Sequence, residues 1–363
     1  MKQARTVTLA DVARAAGVAK STASYAFSDP GRLSEPTTAR ILAAAAQLGY
    51  QGPSALGRAL ASGRTHVVAV VTKALMLAPD EEDPFALQLI DGLSRELHEQ
   101  GYGVLLLPPV VDEQAARLHA GAIYDGVVSV RRLTHLAETD AVLRSRQVPW
   151  VKLDAGSDDY RAVLGQEDSA TADLLRHLAS LGHTRIAAVT LPFEGGEGEG
   201  KSFVGDAVRE LLDALPERVP AHVPRSRLRG FVGAGVVPSR VAMCPVTTFE
   251  AGRTAGFELL SLPPQERPTA IVCQADVYAW GVADAAAQLG LRIPEDVSVT
   301  GFDGLTGGVF DRLNLTSVYQ DGVLKGRLVA RWLVERIVRG EDPPPHAMPL
   351  TLRLGSTTGP VPQ

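Results

Sequence analysis

The stretch Val7-Thr-Leu-Ala-Asp-Val-Ala-Arg-Ala-Ala-Gly-Val-Ala-Lys-Ser-Thr-Ala-Ser-Tyr-Ala-Phe27 decides how this chain begins. Thr8 suits a helix N-cap, and Leu9, Val12, Ala13 and Ala16 recur at helical spacing. Gly17 can take the left-handed backbone that closes such a helix. A second helix from Lys20 to Phe27 then carries Lys20, Ser21 and Tyr25 outward, while Thr22, Ala23 and Ala26 face inward or along the backbone. Ala10, Ala13 and Ala16 are small enough for the two helices to pack closely. The pattern is a helix-turn-helix whose second member is a candidate recognition helix. The competing reading is an ordinary surface pair of helices.

The next residues extend the pattern. Ser34 can cap a third helix with Pro36 in its first turn, running through Ile41 to Leu48 and ending at Gly49-Tyr50. Ser54-Ala-Leu-Gly-Arg-Ala-Leu-Ala61 follows Pro53. A helix that short is marginal in water, so it should fold only when docked.

From Val7 to Leu60 the chain resembles the headpiece of the LacI/GalR family of transcriptional repressors, a three-helix domain followed by a hinge helix. The resemblance rests on Thr8-Leu9, Asp11-Val12-Ala13, Ala16-Gly-Val18, Thr22, Ser24, Leu48-Gly-Tyr50 and the Pro53 to Leu60 segment. It implies a recognition helix in the major groove, paired hinge helices in the minor groove, and Leu60 as a wedge that unstacks a central base step. The DNA-contacting residues it implies are Thr8, Lys20, Ser21, Thr22, Ser24, Tyr25, Ser34, Tyr50, Ser54, Arg58 and Leu60. Three positions depart from the family pattern. Tyr25 stands where many members carry an arginine, so a bidentate contact to guanine is missing there. Ala19 replaces the usual serine at a helix cap, and Gly52 lengthens the hinge by one residue.

Charge is divided along the chain. Residues 1–66 hold eight Lys/Arg against three acids, a net +5, while the remainder holds 28 basic and 38 acidic residues, a net −10. A basic head on an acidic body concentrates attraction for phosphate at one end. The 363 residues have room for a small head, 1–52, a hinge and linker, 53–63, and a large two-lobed body, 64–363. No apolar run approaches the ~20 residues of a membrane span, and no apolar region follows Met1-Lys-Gln-Ala-Arg5, so a cytoplasmic location and no membrane partner are expected. Cys244 and Cys273 lack metal or redox spacing and read as buried small apolar groups.

Beyond His66 strands and helices alternate. His66–Val71, Val104–Leu107, Gly126–Val130, Val148–Leu153, Arg185–Val189, Ala270–Cys273 and Val297–Thr300 read as strands, with Phe85–Gln100 and Ala170–Leu181 as helices between them. Such alternation argues for doubly wound parallel sheets. Further stretches, among them Leu181-Gly-His-Thr-Arg-Ile-Ala187, Arg227-Leu-Arg-Gly-Phe231 and Leu291-Arg-Ile-Pro-Glu-Asp-Val-Ser-Val-Thr-Gly-Phe-Asp303, continue the family resemblance. It implies a periplasmic-binding-protein-like body of two α/β lobes, with the chain crossing near Lys152–Ala162, Ala286–Pro294 and Ser317–Gln320.

Ligands of open parallel sheets bind beyond the carboxyl ends of the strands. Asp303 ends one strand and can accept bonds from vicinal hydroxyls. Arg227 matches the family's effector-binding arginine and offers a planar donor fork. Asp276 follows another strand, and Phe85 can stack on a ring. For each of the four, capping or packing is the alternative role. A carboxylate with an arginine suits a sugar or sugar-like polyol, and does not choose among sugars, nucleobases and acids.

Gly195-Gly-Glu-Gly-Glu-Gly-Lys-Ser202 matches a phosphate-binding loop, after one strand and ahead of a helix read over Val204–Leu215. Glu197 and Glu199 among the cradling amides oppose that use, and 191–226 reads better as a loop with one exposed helix. The eight histidines show no metal spacing and no serine sits in a GxSxG elbow, so no catalytic residue, metal or cofactor is expected. The sequence therefore points to a ligand-responsive, sequence-specific DNA-binding regulator, most simply a repressor. It should act as a homodimer on a pseudo-palindromic double-stranded operator with a carbohydrate effector. The rivals are a nucleotide-binding protein using the Gly195 loop, and a solute-binding sensor that does not touch DNA.

Overall fold

In the computed structural model the described residues are 7–53, 57, 59, 62–72, 84–130, 136–153, 163–193 and 199–362. They divide into two compact units, 1–66 and 67–363.

The smaller unit holds α1 (Leu9–Ala15), α2 (Lys20–Ser28), a single 3-10 turn (Pro30–Arg32) and α3 (Glu35–Leu48). Its core is small-residue packing: Val12, Ala13, Ala16, Ala23, Ala26 and Ile41 are all buried. Alanines at the α1–α2 contact let the two backbones approach, as the sequence pattern requires. Gly17 takes φ 65° between them. Asp11 accepts hydrogen bonds from the Thr8 backbone N–H and from its hydroxyl, at 3.1 and 2.7 Å, and so secures the start of α1. Ala19 sits at the N-cap of α2 without a side-chain bond. Ser34 holds the N-cap position of α3, but its hydroxyl meets Thr37 Oγ1 at 2.9 Å instead of a backbone amide.

The larger unit holds two α/β lobes. The first is built on a parallel sheet of order β2-β1-β3-β4, from β1 (Val67–Val71), β2 (Gly103–Leu107), β3 (Gly126–Ser129) and β4 (Trp150–Lys152). On it pack α4 (Pro84–Glu99), α5 (Glu113–Gly121), α6 (Leu136–Ser145) and a late helix, α14, described below. The second lobe has a seven-stranded sheet of order β13-β11-β10-β9-β6-β8-β7. Its five central strands are parallel: β6 (Ile186–Thr190), β8 (Arg240–Met243), β9 (Ala270–Cys273), β10 (Ser298–Asp303) and β11 (Thr316–Tyr319). β7 (Lys201–Val204) and β13 (Thr351–Arg353) close the two edges antiparallel. The helices of this lobe are α7 (Glu167–Ser180), α8 (Asp206–Asp213), α9 (Leu215–Arg218), α10 (His222–Gly233), α11 (Phe249–Leu260), α12 (Asp276–Gln288) and α13 (Val309–Leu313). The central strands are buried along nearly their whole length, with β9 wholly apolar and β6, β10 and β11 carrying buried polar residues such as Thr190, Ser298, Thr300 and Thr316.

The chain passes from the first lobe to the second between β4 and α7. It returns after β11 into α14 (Gly322–Arg339), which packs along α4 in the first lobe. It then crosses a last time between β12 (His346–Met348), paired with β5 (Val163–Gly165), and β13. The crossing expected at Ala286–Pro294 does not occur. That segment joins α12 to β10 inside the second lobe, and the third passage lies instead at 349–350. Residues 154–162 of the first passage fall outside the described set.

The α4–α14 contact depends on two glycines. A Cβ on Gly92 would lie 2.0 Å from Val323 O, and one on Gly326 would lie 2.2 Å from Leu89 O. Beside this crossing, buried Glu96 receives Arg331 at 3.0 Å and Arg327 at 3.2 Å. The hydrogen bonds from Arg331 and Gln100 and the two positive charges hold its carboxyl below the usual range, although burial alone would raise it.

The Gly195–Ser202 stretch does not make a phosphate loop. Lys201 and Ser202 begin the edge strand β7, and the following helix starts only at Asp206, behind Gly205. Lys201–Val204 pairs antiparallel with β8, so no helix N-terminus meets the lysine and serine. Residues 194–198 lie outside the described set. Cys244 and Cys273 are both free and buried. Burial pushes the Cys244 thiol up to about 12 and that of Cys273 well above its ordinary value.

Candidate functional site

Two surfaces carry chemistry, one in each unit. On α2, Lys20 and Ser21 are exposed, Thr22 and Ser24 are half-buried, and Tyr25 is 38% exposed. The buried Ala23 and Ala26 on the opposite side fix which face of the helix is presented. Thr8 and Ser34 are exposed at the starts of α1 and α3. Tyr50 is half-buried, its ring edge-on to Phe27 with centroids 5.6 Å apart. Ser54, Arg58 and Leu60 lie outside the described residues.

The second surface lies at the carboxyl ends of β6, β9 and β10. Asp303 closes β10 with φ 123°, a conformation that side-chain-bearing residues rarely adopt and that costs about 1–3 kcal/mol. Its Oδ1 accepts a hydrogen bond from Gln320 Nε2 at 2.6 Å, and Arg227 Nη2 stands 4.0 Å away. Arg227 comes from α10. Its guanidinium lies flat on the Phe302 ring, 3.4 Å from the centroid, and Nη1 donates to Gln274 O. Gln274 is itself held, with Oε1 accepting from Leu191 N at 3.2 Å and Nε2 donating to Pro224 O at 3.3 Å. Asp303 and Arg227, selected independently from sequence, are thus brought together.

Asp276 and Phe85 take other places. Asp276 is 1% exposed, and both its oxygens are engaged: Oδ1 accepts from Ser317 Oγ and Oδ2 from Leu305 N, each at 2.6 Å. Both oxygens are bonded within the protein, and Asp276 supports the turn after Asp303. Burial first, and the neighbouring Asp303 charge second, raise its carboxyl to about 7. The Phe85 ring is buried in the first lobe's core and has Lys325 Nζ 5.7 Å from its centroid. It is a packing residue in this structure, not an open stacking platform. Leu305, two residues beyond Asp303, joins that same core, so the Asp303 turn is anchored in the opposite lobe.

Gln320, Gln274 and Leu305 were not singled out from sequence. Gln320 had a signal, a polar residue directly after the buried strand Thr316–Tyr319. Gln274 and Leu305 had none, since their partners lie 83 and 29 residues away.

A three-helix head bearing an exposed polar helix, joined to a two-lobed α/β body with a buried acid–arginine pair, defines a DNA-binding regulator with a receptor body. Residues 8–52 match the family of bacterial regulatory proteins of the lacI type, and residues 175–358 match the periplasmic binding protein-like domain. The chain is 30% identical to the ribose operon repressor of Escherichia coli K12 over 339 residues, covering 92% of this chain and 93% of that one. It is also 30% identical to the transcriptional regulator MalR of Streptomyces coelicolor, covering 97% of each. In fold it matches the Lac repressor dimer bound to operator and the anti-inducer ONPF, with a TM-score of 0.75 at 22% identity, covering 98% of this chain and all of that one. A regulator CelR–cellobiose complex matches with a TM-score of 0.59 at 23% identity, covering 97% and 100%. The chain belongs to the LacI family of bacterial regulatory proteins and is a DNA-binding transcriptional regulator. Among the described residues, no helix is long and apolar enough to cross a membrane, and no cluster of His, Cys, Asp or Glu is arranged to hold a metal.

Proposed function

We propose that this regulator is a carbohydrate-responsive repressor acting as a homodimer on a pseudo-palindromic double-stranded operator, with no catalytic step of its own. The observation that carries the effector assignment is the Asp303 carboxylate, buried at a strand end, 4.0 Å from Arg227 and bonded to Gln320. A fixed acceptor beside a fixed planar donor is what vicinal hydroxyls require, because each hydroxyl both gives and receives a hydrogen bond. The ring-stacked guanidinium has little freedom left to lose on binding. A pentose fits the name of the ribose operon repressor, and a disaccharide that of the CelR complex.

On the head, Lys20 and Ser21 read base edges and Tyr25 stands beside them on the outer face of α2, with Thr8, Thr22, Ser24, Ser34 and Tyr50 positioning α2 against phosphates. Ser54, Arg58 and Leu60 complete the DNA contacts on the sequence resemblance alone. Domain limits of 1–52, 53–63 and 64–363 follow the same reading. A cytoplasmic location follows from the DNA partner.

Titration of the purified chain with a panel of pentoses, hexoses and disaccharides by calorimetry tests the effector assignment. One sugar class should bind wild type and lose affinity at least tenfold in Asp303→Asn. Binding that is equal in both proteins would remove Asp303 from the site.

A further inference from the structure

We propose that Arg32, stacked on Tyr25 and clamped by Asp29, is a base-reading side chain of the head, with Tyr25 and Asp29 as its positioning residues. The proposal rests on α2 being the helix that meets DNA. Tyr25 leaves α2 without an arginine at its sixth position. The structure returns one from the turn that follows.

The Arg32 guanidinium carbon lies 5.3 Å from the Tyr25 ring centroid, within cation–π range. Nη1 lies 3.5 Å from Tyr25 Oη, at the outer limit of a hydrogen bond. Asp29 Oδ2 sits 2.9 Å from Nε. Three segments contribute: Tyr25 from α2, Asp29 from its C-cap, and Arg32 from the Pro30–Arg32 turn. That turn is itself closed by Leu33 N donating to Pro30 O at 3.1 Å. The cluster is not core packing, since the Arg32 and Asp29 side chains are 64% and 52% exposed.

An exposed ion pair of this kind contributes little to folding, so stability does not account for three side chains gathered on one outer surface. Preorganisation does. The tyrosine lies within cation–π range of the guanidinium with its hydroxyl near Nη1, and Asp29 occupies the Nε edge. Nη2 and the second Nη1 proton are left to meet guanine O6 and N7. Asp29 also decides between base and phosphate. It neutralises the guanidinium and would repel a phosphate brought to the same place, whereas uncharged base acceptors meet no such repulsion.

The experiment uses the full chain. An operator is selected from random duplexes, and affinities are then measured by fluorescence anisotropy on duplexes with each base pair replaced in turn, across a salt series. The variants are Arg32→Ala, Arg32→Lys, Tyr25→Ala, the double Tyr25→Ala/Arg32→Ala, and Lys20→Ala as a reference on α2. The expected result is that Arg32→Ala and Arg32→Lys both flatten the preference at one G·C pair by about 10- to 100-fold, with the salt slope unchanged. Tyr25→Ala should flatten the same pair, and the double variant should lose no more than Arg32→Ala alone. The proposal is overturned if Arg32→Ala weakens all duplexes equally and lowers the salt slope by about one, which marks a phosphate contact. It is equally overturned if Arg32→Lys keeps the preference, or if Tyr25→Ala and Arg32→Ala relax different pairs. Loss of no preference in any variant, Lys20→Ala included, would instead remove α2 from the DNA, and the proposal with it.

Discussion

Asp276→Asn offers a quantitative prediction beside Asp303. In the unfolded chain an aspartate titrates near 3.9. In the folded body its carboxyl is raised to about 7, chiefly by burial and next by Asp303, against the opposing hydrogen bonds from Ser317, Leu305 and Gly304. Folding therefore favours the protonated form. Its contribution to stability is complete below about pH 4, shrinks as pH rises through 7, and is gone above that. Three pH units at about 1.4 kcal/mol each give an upper bound of about 4 kcal/mol, and the two carboxyls share the titration as a pair. Asparagine is isosteric and always neutral. Its oxygen can accept from Leu305 N, and its amide can donate to Ser317 Oγ. Urea unfolding of the body should be followed from pH 5 to pH 8 in both proteins. His177 and His183, whose values burial lowers, pull the other way: folding favours their neutral forms, so each adds stability as pH rises towards 6.5. Both histidines are present in both proteins, so the difference between the curves isolates Asp276. Wild type minus variant should fall by about 2–3 kcal/mol over that range, since only the two pH units between 5 and 7 lie within the titration. A difference that stays flat would refute the claim that Asp276 is held protonated beside Asp303.

Other outcomes follow from the same geometry. Gly92→Ala should cost about 3 kcal/mol or more and lower the melting temperature of the body, because its Cβ would meet Val323 O at 2.0 Å and force α4 and α14 apart. An unchanged melting temperature would contradict that crossing. His183 joins Gly359 O at 2.9 Å, Ser298 Oγ at 3.1 Å and Thr269 Oγ1 at 3.0 Å, tying the terminal segment to the sheet. Wild type should lose stability as pH falls below 6.5, and His183→Gln should show a shallower acid limb in denaturation curves. Asp303→Asn should abolish the ligand's effect on operator affinity while leaving affinity without ligand within about twofold of wild type; a full response in anisotropy titrations would exclude the role given to Asp303.

Strong periodicity makes the framework readable in the sequence. The alanine-rich stripe of α1 and the apolar runs of β1, β6 and β9 are where the sequence places them. Short or locally ambiguous segments were not. Lys201–Val204 is only four residues long and reads equally well as the start of a helix, and only its pairing with β8 makes it an edge strand. The crossing at 349–350 leaves no mark because β12 pairs with β5 across nearly two hundred residues. At the proposed ligand site, position and chemistry single out Asp303 and Arg227 in the sequence, and the fold places them 4.0 Å apart. Asp276 had the same signature, an acid after a strand, yet its role is set by Ser317, 41 residues on. The Arg32–Tyr25 stack was hidden for a related reason, since it depends on how the Pro30 turn folds back and not on helical spacing.

On the proposed reading, a small molecule held by Asp303 and Arg227 sets the affinity of the head for one DNA sequence. Operator affinity by anisotropy, with and without the sugar that binds in calorimetry, should therefore be compared for wild type and Asp303→Asn. Wild type should show a ligand-dependent change of at least tenfold and the variant none. A wild-type affinity indifferent to every sugar that the body binds would contradict that reading.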